Sequence, residues 1–481
     1  MAVMAEHGAK QQAVEPSLHR VMGPWLLLLF IVGDILGTGI YALTGQVAKQ
    51  VGGVVWLPFL VAFAVALDHR LLLSRAGDEV SAKAPQGRRS TPTSAFGIHF
   101  VTFLVAFAVM CSGITSASTA SRAFAANHGG DRLPVSALSR RRGVTLPSRL
   151  AFMALVAIVN FRGVGESVKA NVVLTCVELT GLLIIIMIGL WAIGRGPGRC
   201  LPRGPVPARR PDRSALFWAV IAATTLAFFA MVGFEDSVNM AEECQDPTRS
   251  IFPKVLLAGL FITGVIYVLV SISAVTLVAP AEQLGQGETP LLQVVQAGAP
   301  NFPVWIFGFI TMFAVANSAL INMLMASRLV YGMSRERVLP SALGKVHPER
   351  RSPYVAIGFT TLLAFALIGF VGQVPALGGT TALLLLCVFT VVNVAVLILR
   401  RDPVDHKHFR TPTFLPVIGA LSCAFLAGPW TGRDPAQYRI AGILIGIGLV
   451  LWLVTVAVNR STGVKPAEPE MADIGGQGPR N

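Results

Sequence analysis

The sequence predicts an all-α, polytopic membrane protein with about twelve transmembrane helices. Two observations lead there. Hydrophobic residues make up 53% of the 481 and charged residues only 13%, about half the charged share of a soluble domain. The apolar residues also gather in runs of roughly 20, the length needed to cross a bilayer, and short connections between the runs carry much of the Lys and Arg.

Residues 1–24 read as a cytoplasmic tail. They hold His7, Lys10, His19 and Arg20 but no small-residue cleavage site, and the apolar run that follows is too long for a signal-peptide core. Runs long enough to cross lie at 25–48, 97–125, 168–194, 215–240, 254–279, 304–331, 353–373, 376–399, 413–430 and 438–458. Two more are incomplete: 53–67 stops at Asp68-His-Arg70, and 150–160 follows Arg140-Arg-Arg142. Counting both gives an even number of spans and leaves both termini on one side. Arg20, Arg162, Lys169, Arg249, Lys254, Arg335 through Arg351, Arg400 through Arg410 and Arg460 then share a face, while 280–303 and 371–380 contain no Lys or Arg. The basic face should be cytoplasmic, which implies a protein of the cytoplasmic (inner) membrane with a second cytoplasmic tail at 461–481. Trp25, Trp56, Trp191, Trp218, Trp305 and Trp430 fall near run ends, as an aromatic belt would place them.

The same sidedness accounts for the net charge of +14 without a nucleic-acid partner. The six cysteines are scattered with no paired spacing, and His406-x-His408 reads as a solvated loop pair, so neither a metal nor a cofactor is expected. Three stretches break the pattern. Residues 68–95, 127–149 and 195–213 are rich in Arg, Ser, Pro and Gly; two of them violate the sidedness rule and two cut spans short. They read as aberrant, either degenerate or translated in a shifted frame, because apolar patterning resumes abruptly at Ala95, Leu150 and Ser214.

Two runs contain residues that suit a continuous membrane helix poorly. Ile31-Val-Gly-Asp-Ile-Leu-Gly-Thr-Gly-Ile-Tyr41 places three glycines and a carboxylate mid-span. Each Gly weakens the helix, and an ionised Asp at bilayer depth costs roughly 2.5–3.5 kcal/mol on insertion scales. Five spans later, Phe228-Phe-Ala-Met-Val-Gly-Phe-Glu-Asp236 repeats the combination. One such segment could equally be a packing face of small residues. A corresponding pair, one in the first span of each five-span half, points to a five-plus-five inverted repeat whose broken helices build a midplane binding site. The first repeat would cover 25–194, the second 214–400, and the two last helices 401–460.

These residues resemble the amino acid, polyamine and organocation (APC) permease superfamily, and within it bacterial members similar to cationic amino acid transporters. The resemblance rests on Gly33-Asp-Ile-Leu-Gly-Thr-Gly-Ile-Tyr-Ala-Leu-Thr-Gly45 and on Phe228 to Glu243 continuing into Asp246-Pro-Thr-Arg-Ser-Ile-Phe-Pro253. Asn317 to Arg335 with Val338-Leu-Pro340 and His347-Pro348 looks like the family's eighth span and following loop, and Phe409-Arg-Thr-Pro412 like the start of its eleventh. It covers about 25–67, 95–126, 150–194 and 214–460 and implies the leucine-transporter type of fold.

The resemblance further implies an α-amino acid held by main chain. Its carboxylate would sit on the amides of Thr38 and Gly39, its ammonium on the carbonyls of Ile35, Phe229, Ala230 and Val232, with Phe229 or Phe234 as a gate. Free amides and a helix dipole suit an anion, and unwound carbonyls a cation. Thr38 is expected to cap the half-helix that follows. In the fifth span Asn160 to Asn171 matches the family, but Glu178 stands where some proton-coupled relatives carry a lysine. A buried carboxylate can bind and release a proton, which makes Glu178 a coupling candidate. The expected function is a secondary active transporter moving an amino acid by alternating access, coupled to protons. The alternatives are an amino acid or amine exchanger, a degenerate permease that transports nothing and, remotely, a membrane-embedded enzyme, against which the dispersed histidines argue.

Overall fold

The computed structural model describes residues 23–68, 99–128, 145–162, 164–194, 213–233, 235, 251–287, 289–371, 373–399 and 414–461. Among the described residues all regular structure is helical. The helices are α1 Pro24–Leu36, α2 Thr38–Val51, α3 Trp56–Asp68, α4 His99–His128, α5 Thr145–Arg162, α6 Val164–Gly194 and α7 Arg213–Ala227. After them come α8 Ile251–Leu277, α9 Pro290–Gly298, α10 Val304–Arg335, α11 Tyr354–Phe370, α12 Val374–Leu399, α13 Phe414–Ala427 and α14 Pro435–Ser461.

Eight helical segments among the described residues are long and apolar enough to cross a membrane, and α3, α11 and α13 are shorter apolar helices. The chain is therefore a multi-pass membrane protein. The incomplete run at 150–160 is extended by α5, which draws Thr145 to Arg149 out of the arginine-rich stretch before it. The rest of the three aberrant stretches lies almost wholly outside the described residues. One helix, α9, has no counterpart in the hydropathy pattern: at 9 residues it is too short to register as a span, and Pro290 opens it where a missing N–H costs nothing.

The centre of the bundle is α4 packed on α10 and α12, with α1 against α6 and α8, and α2 against α7. Close approach depends on small residues, as membrane helices require in the absence of a hydrophobic drive between them. A Cβ on Gly113 of α4 would stand 3.2 Å from the Asn322 carbonyl of α10. The inner face of α4 is lined with buried hydroxyls: Ser112, Thr115, Ser116, Ser118, Thr119 and Ser121. Thr115, Ser118 and Thr119 satisfy themselves on carbonyls one turn back, and Thr115 also meets Thr381 of α12 at 2.7 Å.

Candidate functional site

The first run is broken where its glycines cluster. Helix α1 ends at Leu36, Gly37 leaves helical geometry at φ −35°, ψ −143°, and α2 starts at Thr38. A Cβ on Gly37 would lie 2.8 Å from the Ser318 side chain, so α10 presses on the break itself. A helix end leaves its last carbonyls and the next helix's first amides without helical partners. The expected cap is not made: Gly37 is the N-cap, and Thr38 makes no side-chain cap bond because it already belongs to the first turn. Its hydroxyl, on a residue only 1% exposed, has no hydrogen-bond partner.

The second run breaks differently. Helix α7 tightens into a 3₁₀ turn at Phe228–Met231, Val232 is extended at φ −70°, ψ 148°, and Gly233 takes φ +121°. Only glycine adopts that last conformation without strain. The Gly233 amide donates to Glu235 Oε2 at 2.9 Å, and the Val232 amide to the Phe229 carbonyl at 3.2 Å.

The two breaks touch through their main chains. A Cβ on Gly39 would lie 2.3 Å from the Ala230 Cα, and one on Gly233 would lie 2.7 Å from the Asp34 carbonyl oxygen. Ile35, Thr38, Gly39, Phe229, Ala230 and Val232 are thus gathered in one place, all buried. Between the two segments stands Tyr267 of α8, a residue the sequence reading missed. Its hydroxyl donates to the Ala230 carbonyl at 2.9 Å and also contacts the Ile35 carbonyl, and having one proton it serves one of them at a time. The signal was available as a lone tyrosine within the 27-residue apolar helix α8, but nothing in the pattern says which way it points.

Phe229 forms part of the wall toward α12, where a Cβ on Gly378 would stand 3.0 Å from Leu43 and 3.6 Å from Phe229. Phe234 lies outside the described residues. Glu178 is fully buried on α6, and Asn317 of α10 offers its side chain to the carboxyl group. Asn171 donates to Asn317 Oδ1 at 3.0 Å, and Thr175 packs so closely on Gly33 that α1 could carry no side chain there. Tyr41 of α2 donates to the main-chain carbonyl of Glu178 at 2.8 Å. Glu178 therefore sits in a polar seam of α6 and α10 that borders both halves of the first broken helix.

The family model described as amino acid permease matches residues 22–450. The chain is similar to the branched-chain amino acid permease BcaP of Bacillus subtilis, at 28% identity over 86% of this chain and 88% of that protein. It is also similar to a methylthioribose transporter of the same species, at 27% identity over 92% and 93% of the two chains. The vacuolar cationic amino acid transporter 4 of Arabidopsis thaliana is 27% identical over 86% of this chain and 73% of its own length.

Proposed function

Because the chain belongs to the amino acid permease family, we propose that it moves an amino acid across the membrane by holding it between the two helix breaks and exposing it alternately to either side. Its relatives are named as transporters rather than enzymes. The observation that carries the binding site is the main-chain contact of Gly39 with Ala230 and of Gly233 with Asp34. It brings amides and carbonyls freed from two helices into reach of one small zwitterion. The carboxylate takes the amides of Thr38 and Gly39 and the unpartnered Thr38 hydroxyl. The ammonium takes the carbonyls of Ile35, Phe229, Ala230 and Val232, sharing Ile35 and Ala230 with Tyr267. Phe229 serves as the gate; Phe234, the other gate candidate, lies outside the described residues.

Glu178 carries the coupling proton. Its carboxyl group lies in a fully buried polar seam where no cation among the described residues is bonded to it, and an ionised carboxylate there is costly. Adding α3, α5, α11 and α13 to the eight longer segments makes twelve spans. We read 25–194 and 214–400 as the two inverted repeats, 401–460 as the last two helices, and 1–24 and 461–481 as tails on the cytoplasmic side of the inner membrane. The test is uptake of a mixed amino acid pool by vesicles of purified protein, with and without a proton gradient, after thermal-shift screening for amino acids that bind. Uptake should follow the gradient. A well-inserted protein that takes up nothing would instead establish the degenerate alternative.

A further inference from the structure

The loop between α13 and α14 buries a charge that no carboxylate balances among the described residues. Arg433 is 6% exposed. Its Nε donates to the Leu426 carbonyl at 2.9 Å, and its Nη1 to the Gly379 carbonyl at 3.1 Å and to Gln437 Oε1 at 2.9 Å. One guanidinium thus ties together the end of α13, the second turn of α12 and the first turn of α14. Its Nη2 has no hydrogen-bond partner. Among the described residues no carboxylate pairs with it, and the adjacent Asp434 is exposed and accepts instead from the Ala436 amide at 2.8 Å. The titratable side chains that reach it, Tyr438 and Cys387, are neutral near pH 7 by their ordinary values. Burial brings the guanidinium down to about 10, which leaves it charged.

A buried cation without a counter-charge is costly, several kcal/mol even after relaxation, and arginine cannot escape the cost by losing its proton. One further feature favours negative charge at the same point. The N-terminus of α14, 27 residues long, lies beside Arg433 and presents the positive end of its dipole. The Gln437 amide, on a residue only 6% exposed, turns its oxygen to the guanidinium. The Gln437 side chain also packs on α12, where a Cβ on Gly379 would fall 2.2 Å from Gln437 Nε2.

We propose that Arg433 and Gln437 form a binding site for a small monovalent anion of the chloride class, enclosed by α12, α13 and the start of α14. The anion accepts from Arg433 Nη2 and completes the neutralisation that the protein leaves undone. The site has a line to the substrate: Gly379, whose carbonyl the guanidinium holds, follows Gly378, which packs on Leu43 and Phe229. Anion occupancy therefore steadies the part of α12 that walls the two breaks, a consequence that rests on the substrate site proposed above, whereas the anion site itself does not.

The experiment uses the purified full-length protein in detergent, without amino acid. Its thermal midpoint is followed as sodium gluconate is replaced by sodium chloride at constant ionic strength, with sodium phosphate as a third arm. The parent midpoint should rise saturably with chloride by about 2 °C or more, and that of Arg433→Gln should stay flat. Gln437→Glu places a permanent carboxylate beside the guanidinium; it should unfold later than the parent in gluconate and no longer respond to chloride. The proposal is overturned if chloride and gluconate act alike on the parent, if only phosphate raises its midpoint, or if Arg433→Gln keeps the response. Should Arg433→Gln not fold, Gln437→Glu decides: retained chloride sensitivity in that variant also overturns the site.

Discussion

A methyl group has no place at Gly39, since it would overlap the main chain of Ala230. Gly39→Ala therefore pushes the two breaks apart, and uptake should fall on the order of 100-fold while the protein still purifies as a folded species. Tyr267→Phe removes a single oxygen from the same place. The carbonyls of Ile35 and Ala230 lose their shared donor, and apparent substrate affinity should drop about tenfold, measured by thermal shift or uptake. Glu178→Gln keeps the shape of the buried seam but cannot exchange a proton. The expected outcome is substrate binding close to the parent value with uptake that no longer responds to a pH gradient; uptake still driven by the gradient would remove Glu178 from the coupling role. At this scale the sequence was legible where chemistry is carried by main chain and glycine, as at 33 to 39 and at 233. It was silent on Tyr267, because one polar residue in an apolar helix gives no direction, and it misplaced the cap at Thr38, because a one-residue shift of the helix start is below what pattern can resolve.

Arg122 shows what a buried cation does when its partners are helix carbonyls. From α4 it donates to the Ile368 carbonyl at 2.7 Å and to that of Val371, where α11 runs out of internal partners. A cation at a helix C-terminus also meets the negative end of the dipole. Arg122→Leu would leave those two carbonyls without their charged donor, costing about 1–3 kcal/mol, and a lower thermal midpoint in detergent is the expected reading. The elements themselves were readable to within a few residues because a crossing helix must satisfy its own backbone and therefore shows as a continuous apolar run. Short elements were not. Helix α9 and the 3₁₀ turn at 228–231 follow local packing against α2, α6 and α7, which leaves no periodic trace.

At the scale of the whole molecule, a twelve-span count places the basic connections on one face and so predicts where the tails lie. Reporter fusions at residues 1 and 481 should both read as cytoplasmic, and opposite readings would mean that the span count is odd. The arginine-rich stretches are the exception to this logic, since a twelve-span count would send 195–213 outward, against the positive-inside rule. Resequencing the gene across 68–95, 127–149 and 195–213 should reveal compensating insertions and deletions if those stretches were read out of frame. That the chain is an all-helical, multi-pass membrane protein was legible because membrane thickness constrains helix length, whereas which helices touch depends on side-chain fit among residues of nearly uniform hydropathy.

The tight turn at Phe228–Met231 would supply a small mechanical stroke if it rewound during transport. Four residues wound with a rise of about 2.0 Å occupy some ~2 Å more than the same four wound with about 1.5 Å. Rewinding that turn as ordinary helix would draw Gly233 back along the axis by less than the diameter of a water molecule while α7 stays seated, enough to loosen or renew the grip of one broken segment on the other.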